Sequence, residues 1–508
     1  MTQDRPNIIF IMSDDHAAQA ISAYGSRINE TPNLDRLVSG SGGVRFDNCY
    51  VTNSICTPSR AAILTGTYNH VNRVTTLDTH IDNRLPNVAK HLQTAGYETG
   101  IVGKWHLGEG AAHEPTGFSF WKVLPGQGDY YDPSFHTPDG VVTEEGYVTD
   151  IITKECISFM ERRDVEKPFF LMCHHKAPHR PWDPKAEHRD KYLERPQVPE
   201  SFDDDYRNRA RAAEAAKMRI AEDMTYDDLD LLQLPDSPGE RLLGGERRKV
   251  PYPAEPEVGV LELRDRNTGE EFRFSSQAEL KRFKYERYIR KYLQTVHSID
   301  ENVGRLLDYL DEAGLSDNTV VIYTSDQGFF LGEHGWFDKR FIYEESLRMP
   351  FLIRTPGTSG DAPPSRGDMI CNVDFAPTFL ELAGAPIPSY MQGRSIVPLL
   401  RGATPEDWPE EVYHRYWMNQ DEVHNAYAHY GIRTHRYKLI YWYNQDCGEP
   451  GANPGTDRPE WELFDLERDP HELVNRYHDP AYAGTVRDMT RRLDRKMAEL
   501  GDTPVHTV

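Results

Sequence analysis

The sequence is poor in cysteine, with six in 508 residues, and it has no excess of positive charge. So few thiols in a chain this long do not make a disulfide scaffold. Fifty-eight Lys and Arg against 81 Asp and Glu leave a net charge of -23, which argues against nucleic acid as a partner. The same charge repels anionic polymers at long range, so an anionic substrate would need positive charge concentrated in its site. No apolar run approaches the roughly 18 residues that span a membrane, and no membrane partner is expected. The first residues, Met1-Thr2-Gln3-Asp4-Arg5-Pro6, lack a basic segment followed by an apolar one. No signal peptide is therefore visible, and cytoplasmic residence is the default expectation; a trimmed periplasmic or secreted form is also compatible. There is no internal repeat and no low-complexity tract.

What is present is a soluble globular composition, 38% hydrophobic and 27% charged. The length suggests one large domain plus a smaller one. Asn7-Ile8-Ile9-Phe10-Ile11-Met12 reads as a strand buried on both faces, ending in Ser13-Asp14-Asp15-His16. Thr319-Val320-Val321-Ile322-Tyr323-Thr324 repeats that grammar and ends in Ser325-Asp326-Gln327-Gly328. Further strands are predicted at 99–104 and 168–174. Helices are predicted from Leu85 to near Gly96 and from Tyr292 to Ala313. This alternation predicts an α/β fold with a central, mostly parallel sheet flanked by helices, over residues 1–400. Residues 200–275 read as a charged helical piece and then a surface insertion, with Pro-Gly punctuation at 235–239. Residues 401–508 read as a smaller antiparallel sheet of short aromatic strands, closed by a helix from about 482 to 500.

The stretch Cys56-Thr57-Pro58-Ser59-Arg60, with Ala61-Ala62-Ile63-Leu64-Thr65-Gly66 after it, carries the most chemistry. Pro58 suits a first helical turn, and a helix N-terminus attracts anions. Arg60 adds an always-charged fork suited to tetrahedral oxyanions. A buried structural cysteine is the bland alternative. A cysteine phosphatase loop would place Arg six positions after Cys; that position is Ala62, so the reading fails. Asp14, Asp15, Asp326 and Gln327 are hard oxygen donors at strand carboxyl ends, suited to Ca²⁺ or Mg²⁺. Clustering three carboxylates without a cation would raise their pKa values. Taken alone, either acidic motif would be read as helix caps or turns. Lys104 and His106 alternate in Gly103-Lys104-Trp105-His106, so on an extended segment they would face one side. His179 lies between two prolines, Pro178 and Pro181, which restrict where it points.

Together these motifs resemble the formylglycine-dependent sulfatases of the alkaline phosphatase superfamily, and the resemblance covers nearly the whole chain. Cys-x-Pro-Ser-Arg is that family's signature. The resemblance implies an alkaline-phosphatase-like α/β domain with a smaller C-terminal domain. It implies that a formylglycine-generating enzyme oxidises Cys56, and that calcium is held by Asp14, Asp15, Asp326, Gln327 and the oxygen of residue 56. It implies that Arg60 and the metal orient the aldehyde hydrate, and that Lys104 and Lys339 bind sulfate. His179 would protonate the leaving alcohol, and His106 would take the proton of the second hydroxyl. His334 is read as a loop residue outside the site. The stretches around Asn53, His174 and Tyr343 look most similar to bacterial carbohydrate sulfatases, such as N-acetylglucosamine-6-sulfatase-like and mucin-desulfating enzymes. The expected substrate is a sulfated small molecule or oligosaccharide. The rivals are a phosphonate monoester or phosphodiester hydrolase, and a non-catalytic binder of sulfated glycans. His424, His429, Arg433 and the C-terminal aromatics are read either as substrate contacts or as packing of the small sheet.

Overall fold

Asn7–Ser13 forms the first strand, β1, and all seven of its residues are buried. Ile8, Phe10 and Met12 join one apolar cluster, and Ile9 and Ile11 join another. That is strand alternation with both faces covered, which is why the run is apolar without a break. These relations come from a computed structural model that describes residues 5–234, 253, 255–356 and 364–507.

Strands β2 (Gly43–Tyr50), β3 (Glu98–Lys104), β4 (Phe120–Leu124), β5 (Ser134–Thr137), β6 (Gly140–Thr143) and β7 (Phe169–His174) follow in chain order. A separate antiparallel sheet comes next, from β8 (Leu231–Gln233), β9 (Glu262–Asp265) and β10 (Glu271–Arg273). β11 (Thr319–Ser325) returns to the centre, β12 (Phe330–Leu331) and β13 (Phe337–Asp338) pair as a short ribbon, and β14 (Phe351–Arg354) and β15 (Ser365–Cys371) complete the large sheet. Its ten strands lie in the order β15-β2-β14-β11-β1-β7-β3-β4-β5-β6. The middle run from β11 to β4 is parallel throughout, and antiparallel pairs lie to either side. A four-stranded antiparallel meander follows, of β16 (Glu411–Tyr416), β17 (His429–Thr434), β18 (Tyr437–Trp442) and β19 (Glu460–Asp465).

The longer helices are α1 (Cys56–Thr65), α2 (Val88–Thr94), α3 (Val148–Arg162), α4 (Gln277–Glu312), α5 (Phe375–Leu382) and α6 (Ala483–Leu500). Ile299, Val303, Leu306, Leu307 and Leu310 of α4 form one helical stripe against the Ile9 and Ile11 face of the sheet. Each such side chain contributes about 1.5–3 kcal/mol when fully buried. α5 covers the opposite face, where Phe379 meets Phe10 and Phe170 edge-on or tilted. Among the described residues, no helix is long and apolar enough to cross a membrane.

The α/β class and its mostly parallel sheet are as expected; three local expectations change. α4 begins at Gln277, not Tyr292, because Ser276 caps it by accepting from the Glu279 N–H at 3.2 Å. α2 begins at Val88, because Asn87 is its cap and accepts from the Lys90 N–H at 3.0 Å. The charged helical piece expected at the start of 200–275 is instead mostly irregular, partly buried chain over residues 201–230. Their only α-helix is the short Arg211–Ala215, and Ala212, Ala213, Met218 and Ile220 are buried. The segment hydrogen-bonds to Gly335, Phe337 and His424, so its backbone is part of the wall beside Lys339. The punctuation at 235–239 lies outside the described residues.

Gly103 has φ 101° where β3 passes β7, and a Cβ there would fall 1.9 Å from the His174 carbonyl oxygen. The Gly103→Ala variant should lose about 1–3 kcal/mol from backbone strain alone, with further loss from the clash. Thermal unfolding checks this; an unchanged midpoint would show that the β3–β7 contact can widen freely.

Candidate active site

Parallel pairing aligns Ser13 with Ser325, so both strands end level. Asp14 and Asp15 leave β1 beside Asp326 leaving β11. The Asp326 N–H donates to Ser13 O at 3.2 Å, and the Asp15 N–H donates to Asp326 Oδ1 at 3.2 Å. Carboxylate oxygens of Asp14, Asp15 and Asp326 lie within 4.8 Å of one another, and all three residues are buried. At an effective dielectric of about 20, each such pair repels by roughly 3–4 kcal/mol. Cations must therefore be close, and they are.

Lys104, at the end of β3, ion-pairs with Asp14 and also meets Gln127. Lys339, next after β13, ion-pairs with Asp15. Arg60, on the first turns of α1, donates to Asp326 Oδ2 from Nε at 3.0 Å and from Nη2 at 2.9 Å. Its Nη1 donates to Lys104 O at 2.9 Å. The guanidinium thus faces a carboxylate and a carbonyl rather than open space. It fixes Asp326 and the end of β3 relative to α1, which differs from a free fork for an oxyanion.

Cys56 opens α1 and is 1% exposed, with Sγ 3.5 Å from Asp14 Oδ1. Donor atoms of Asp14, Cys56 and His179 also lie within 4.8 Å of one another, so His179 shares the cup. His179 Nδ1 is 2.6 Å from Arg180 O, and Nε2 is 3.9 Å from Asp15 Oδ2. Cis peptide bonds precede Pro178 and Pro181 on either side of it. His106 is not on an extended segment: β3 stops at Lys104, and His106 has φ 54°. The alternation argument for Lys104 and His106 therefore fails. Its ring reaches Thr57 Oγ1 at 3.4 Å and opens on a cavity of about 340 Å³ lined by Thr57, His80, Trp105, Trp121 and His136.

The electrostatics follow from burial and these pairs. Burial acts against ionisation of Asp14, but Lys104, His179, Arg60 and Lys339 outweigh it and hold the carboxyl well below its ordinary range. Burial pushes Asp15 up to about 7, with Lys339 opposing and Asp14 and Asp326 adding. Burial and the Asp14 charge push the Cys56 thiol up to about 12, so a plain cysteine here would be a protonated, weak nucleophile. Burial keeps His179 and His106 well below the usual imidazole value.

The donor set fits a hard divalent cation. Asp15 Oδ2 and Gln327 Oε1 are buried without a hydrogen-bond partner. The Gln327 amide Nε2 faces Asp15 and Asp326 Oδ1, and amide orientation is an assignment from hydrogen bonding. Rotating the amide by half a turn brings Oε1 into the carboxylate cluster, as a cation would require.

Several residues lie apart from this cup. His334 is buried, with Nδ1 2.9 Å from Asp204 Oδ2 and its ring against Trp336 and Tyr343. Arg433 pairs with Glu344 at 3.1 Å, and His429 packs on His414 and Trp442. His424 belongs to a buried network that sequence reasoning missed. Its Nε2 lies 3.1 Å from Asp338 Oδ2 and 3.0 Å from Arg180 Nη2. Arg340 pairs with Asp338 as well. The available signal was adjacency: Arg180 follows His179, while Asp338 and Arg340 flank Lys339. Gln127 carried no signal.

A family model described as Sulfatase matches residues 6–385, and one described as N-sulphoglucosamine sulphohydrolase, C-terminal, matches residues 332–499. The chain is 42% identical to the N-acetylglucosamine-6-O-sulfatase of Bacteroides thetaiotaomicron over 98% of its own length and 87% of that protein. It is 26% identical to the human N-acetylglucosamine-6-sulfatase over 81% of its length and 67% of that protein. A solved protein in complex with its substrate D-glucosamine-2-N,6-O-disulfate superposes with a TM-score of 0.85 at 40% identity, covering 98% of both chains. The phosphonate monoester hydrolase of Agrobacterium radiobacter superposes with a TM-score of 0.70 at 20% identity over 98% of this chain and 96% of that one, a likeness of fold alone.

Arg60→Met would leave Asp326 Oδ2 buried without its cation. It should cost about 3–5 kcal/mol, seen as a lower thermal midpoint; a midpoint equal to that of the parent would show that the pair is not needed for folding.

Proposed function

The chain belongs to the sulfatase family and is a sulfuric ester hydrolase, and from that premise we propose that it removes a 6-O-sulfate from a glucosamine-type sugar. The observation that carries this reading is the convergence of Cys56, Asp14, Asp15, Asp326, Lys104, His179 and Lys339 in one buried cup. The sugar assignment rests on the 42% identity to a relative named for 6-O-desulfation of N-acetylglucosamine.

Asp14, Asp15, Asp326 and Gln327 would hold the cation, for which calcium fits the all-oxygen donor set. When bound, it would supply Lewis acidity toward the sulfuryl oxygens. Three carboxylates facing Arg60, Lys104 and Lys339 balance formally to zero, so a divalent ion leaves the cup positive. That local charge answers the demand set by a chain of net charge -23. Oxidation of Cys56 to formylglycine, by a dedicated modifying enzyme, would supply a hydrated aldehyde with two hydroxyls where the thiol is inert.

The chain's own residues then divide the work. Arg60 keeps Asp326 and the Lys104 backbone in place against α1. Lys104 and Lys339 exchange part of their pairing with Asp14 and Asp15 for the sulfuryl oxygens and offset charge there. His179 has Nδ1 held by the Arg180 carbonyl, so Nε2 is the atom that delivers a proton to the departing sugar oxygen. An anionic ester in the cup opposes the effect of burial and favours the protonated ring. His106, at the Thr57 side, is placed to accept a proton during sulfate release.

Released sulfate should be measured on a panel of defined glucosamine 6-, 3- and N-sulfates, an aryl sulfate and a phosphonate monoester. The 6-O-sulfate should lead in kcat/KM; a lead for the phosphonate ester would overturn the assignment. Cys56→Ser has one hydroxyl and no route to regeneration, so its turnover should fall by about 10³-fold or more. Mass spectrometry of the parent peptide should show the aldehyde or its hydrate at position 56. His179→Ala should cost about 10²–10⁴-fold in kcat, with the smallest loss on an aryl sulfate, whose phenol leaves without a proton. An equal loss on both esters would remove His179 from the general-acid role.

A further inference from the structure

The chain beyond His179 meets α4 at a second group of ligand-type side chains, away from the cup. We propose that His188, His297 and Glu301 form a binding site for a borderline divalent ion of the zinc, cobalt and nickel class. His297 and Glu301 are four residues apart on α4 and so share one face. His188 comes from the 3-10 turn Ala186–His188. Its Nε2 lies 3.1 Å from Glu301 Oε2, and His297 Nε2 lies 3.3 Å from Glu301 Oε1. One donor atom from each residue lies within 4.8 Å of the other two. A tetrahedral ion about 2.0 Å from its ligands sets them roughly 3.3 Å apart. Two imidazoles and one carboxylate suit zinc rather than calcium or magnesium.

The rings are oriented from outside. Tyr192 OH lies 3.2 Å from His297 Nδ1, and Ser298 Oγ lies 3.4 Å from His188 Nδ1. With both Nδ1 atoms occupied by hydroxyls, both Nε2 atoms turn toward Glu301, the outer-shell arrangement that ligating histidines use. His188 is 1% exposed, and its Nε2 faces the Glu301 carboxylate at 3.1 Å without meeting hydrogen-bond geometry, so an ion between the two would satisfy both. Glu301 and His297 are 40% and 25% exposed, which leaves an entry path and room for a water as fourth ligand.

The competing charge is Lys185. Its Nζ is 3.5 Å from Glu301 Oε2 and 3.7 Å from Glu187 Oε1, but closer, at 2.8 Å, to Asp150 Oδ2. Asp150 can keep the lysine while Glu301 turns to an ion. The ion would clamp the segment after His179 onto α4, adding to the Gln294 side chain, which already donates to Arg189 O at 2.8 Å and Lys191 O at 3.1 Å.

The test uses the full-length, calcium-saturated protein titrated with zinc chloride and, separately, cobalt chloride. One zinc should bind and raise the thermal midpoint. Cobalt should give visible ligand-field bands without a thiolate charge-transfer band, because no cysteine is among the ligands. His297→Gln and Glu301→Gln should each weaken zinc binding by at least about tenfold. Tyr192→Phe keeps every ligand and should still weaken it by about tenfold. Circular dichroism and residual sulfate release establish that each variant is folded. Equal zinc affinity in the parent and His297→Gln, a thiolate band, which would put the ion at Cys56, or no binding at millimolar zinc would each overturn the proposal.

Discussion

Three carboxylates share a buried space at the ends of two neighbouring strands, and the surrounding structure answers that one electrostatic problem. Asp14, Asp15 and Asp326 meet because β1 and β11 pair in parallel with Ser13 level with Ser325. Their mutual repulsion, several kcal/mol per pair, would force protonation or unfolding if nothing opposed it. Lys104, Lys339 and Arg60 oppose it, one from β3, one from the segment after β13 and one from α1. Each cation therefore ties a different element to the strand ends. The charge network that prepares the site also fixes the sheet and α1 relative to one another.

This arrangement explains how an acidic protein handles an anionic ester. Long-range attraction is not available to a chain of net charge -23. The cup instead holds its positive groups buried and already paired, so their pull is short in range and strong at contact. A substrate must reach the cup before it gains anything, so the part of it that carries no charge meets the walls around the cup. Trp105, Trp121, His80 and His136, around the cavity beside Thr57 and His106, form one such wall.

Much of this was legible in the chain. The apolar runs at 7–12 and 319–324 announced strands covered on both faces, because only a buried parallel strand tolerates such unbroken hydrophobicity. Cys56-Thr57-Pro58-Ser59-Arg60 announced a helix start. What misled was local geometry. Lys104-Trp105-His106 read as an alternating strand, but β3 ends at Lys104 and the chain turns left-handed at His106. The start of α4 was legible in Ser276-Gln277-Ala278-Glu279 but was hidden by the charged run before it. The segment 201–230 read as a charged helical piece because its Arg and Asp content is high. Its alanines and its two methionines are among the residues that pack, and they are too small or too scattered to mark a core by composition.

By itself the sequence determined the classes of element, the identity of the strand-end acids and the one helix start that carries a thiol, since these depend on residue type and near neighbours. Only tertiary structure decided which cation answers which carboxylate, that Arg60 holds Asp326 instead of standing free, and that Asp338, Arg180 and His424 close into a network. It also brought His188 to the His297 and Glu301 pair on α4. Those outcomes turn on distances between groups far apart in the chain, from some 90 residues for Lys104 and Asp14 to 324 for Lys339 and Asp15. Coulomb energy at a few ångströms depends on strand register and burial, and neither is written in the spacing of residues along a chain.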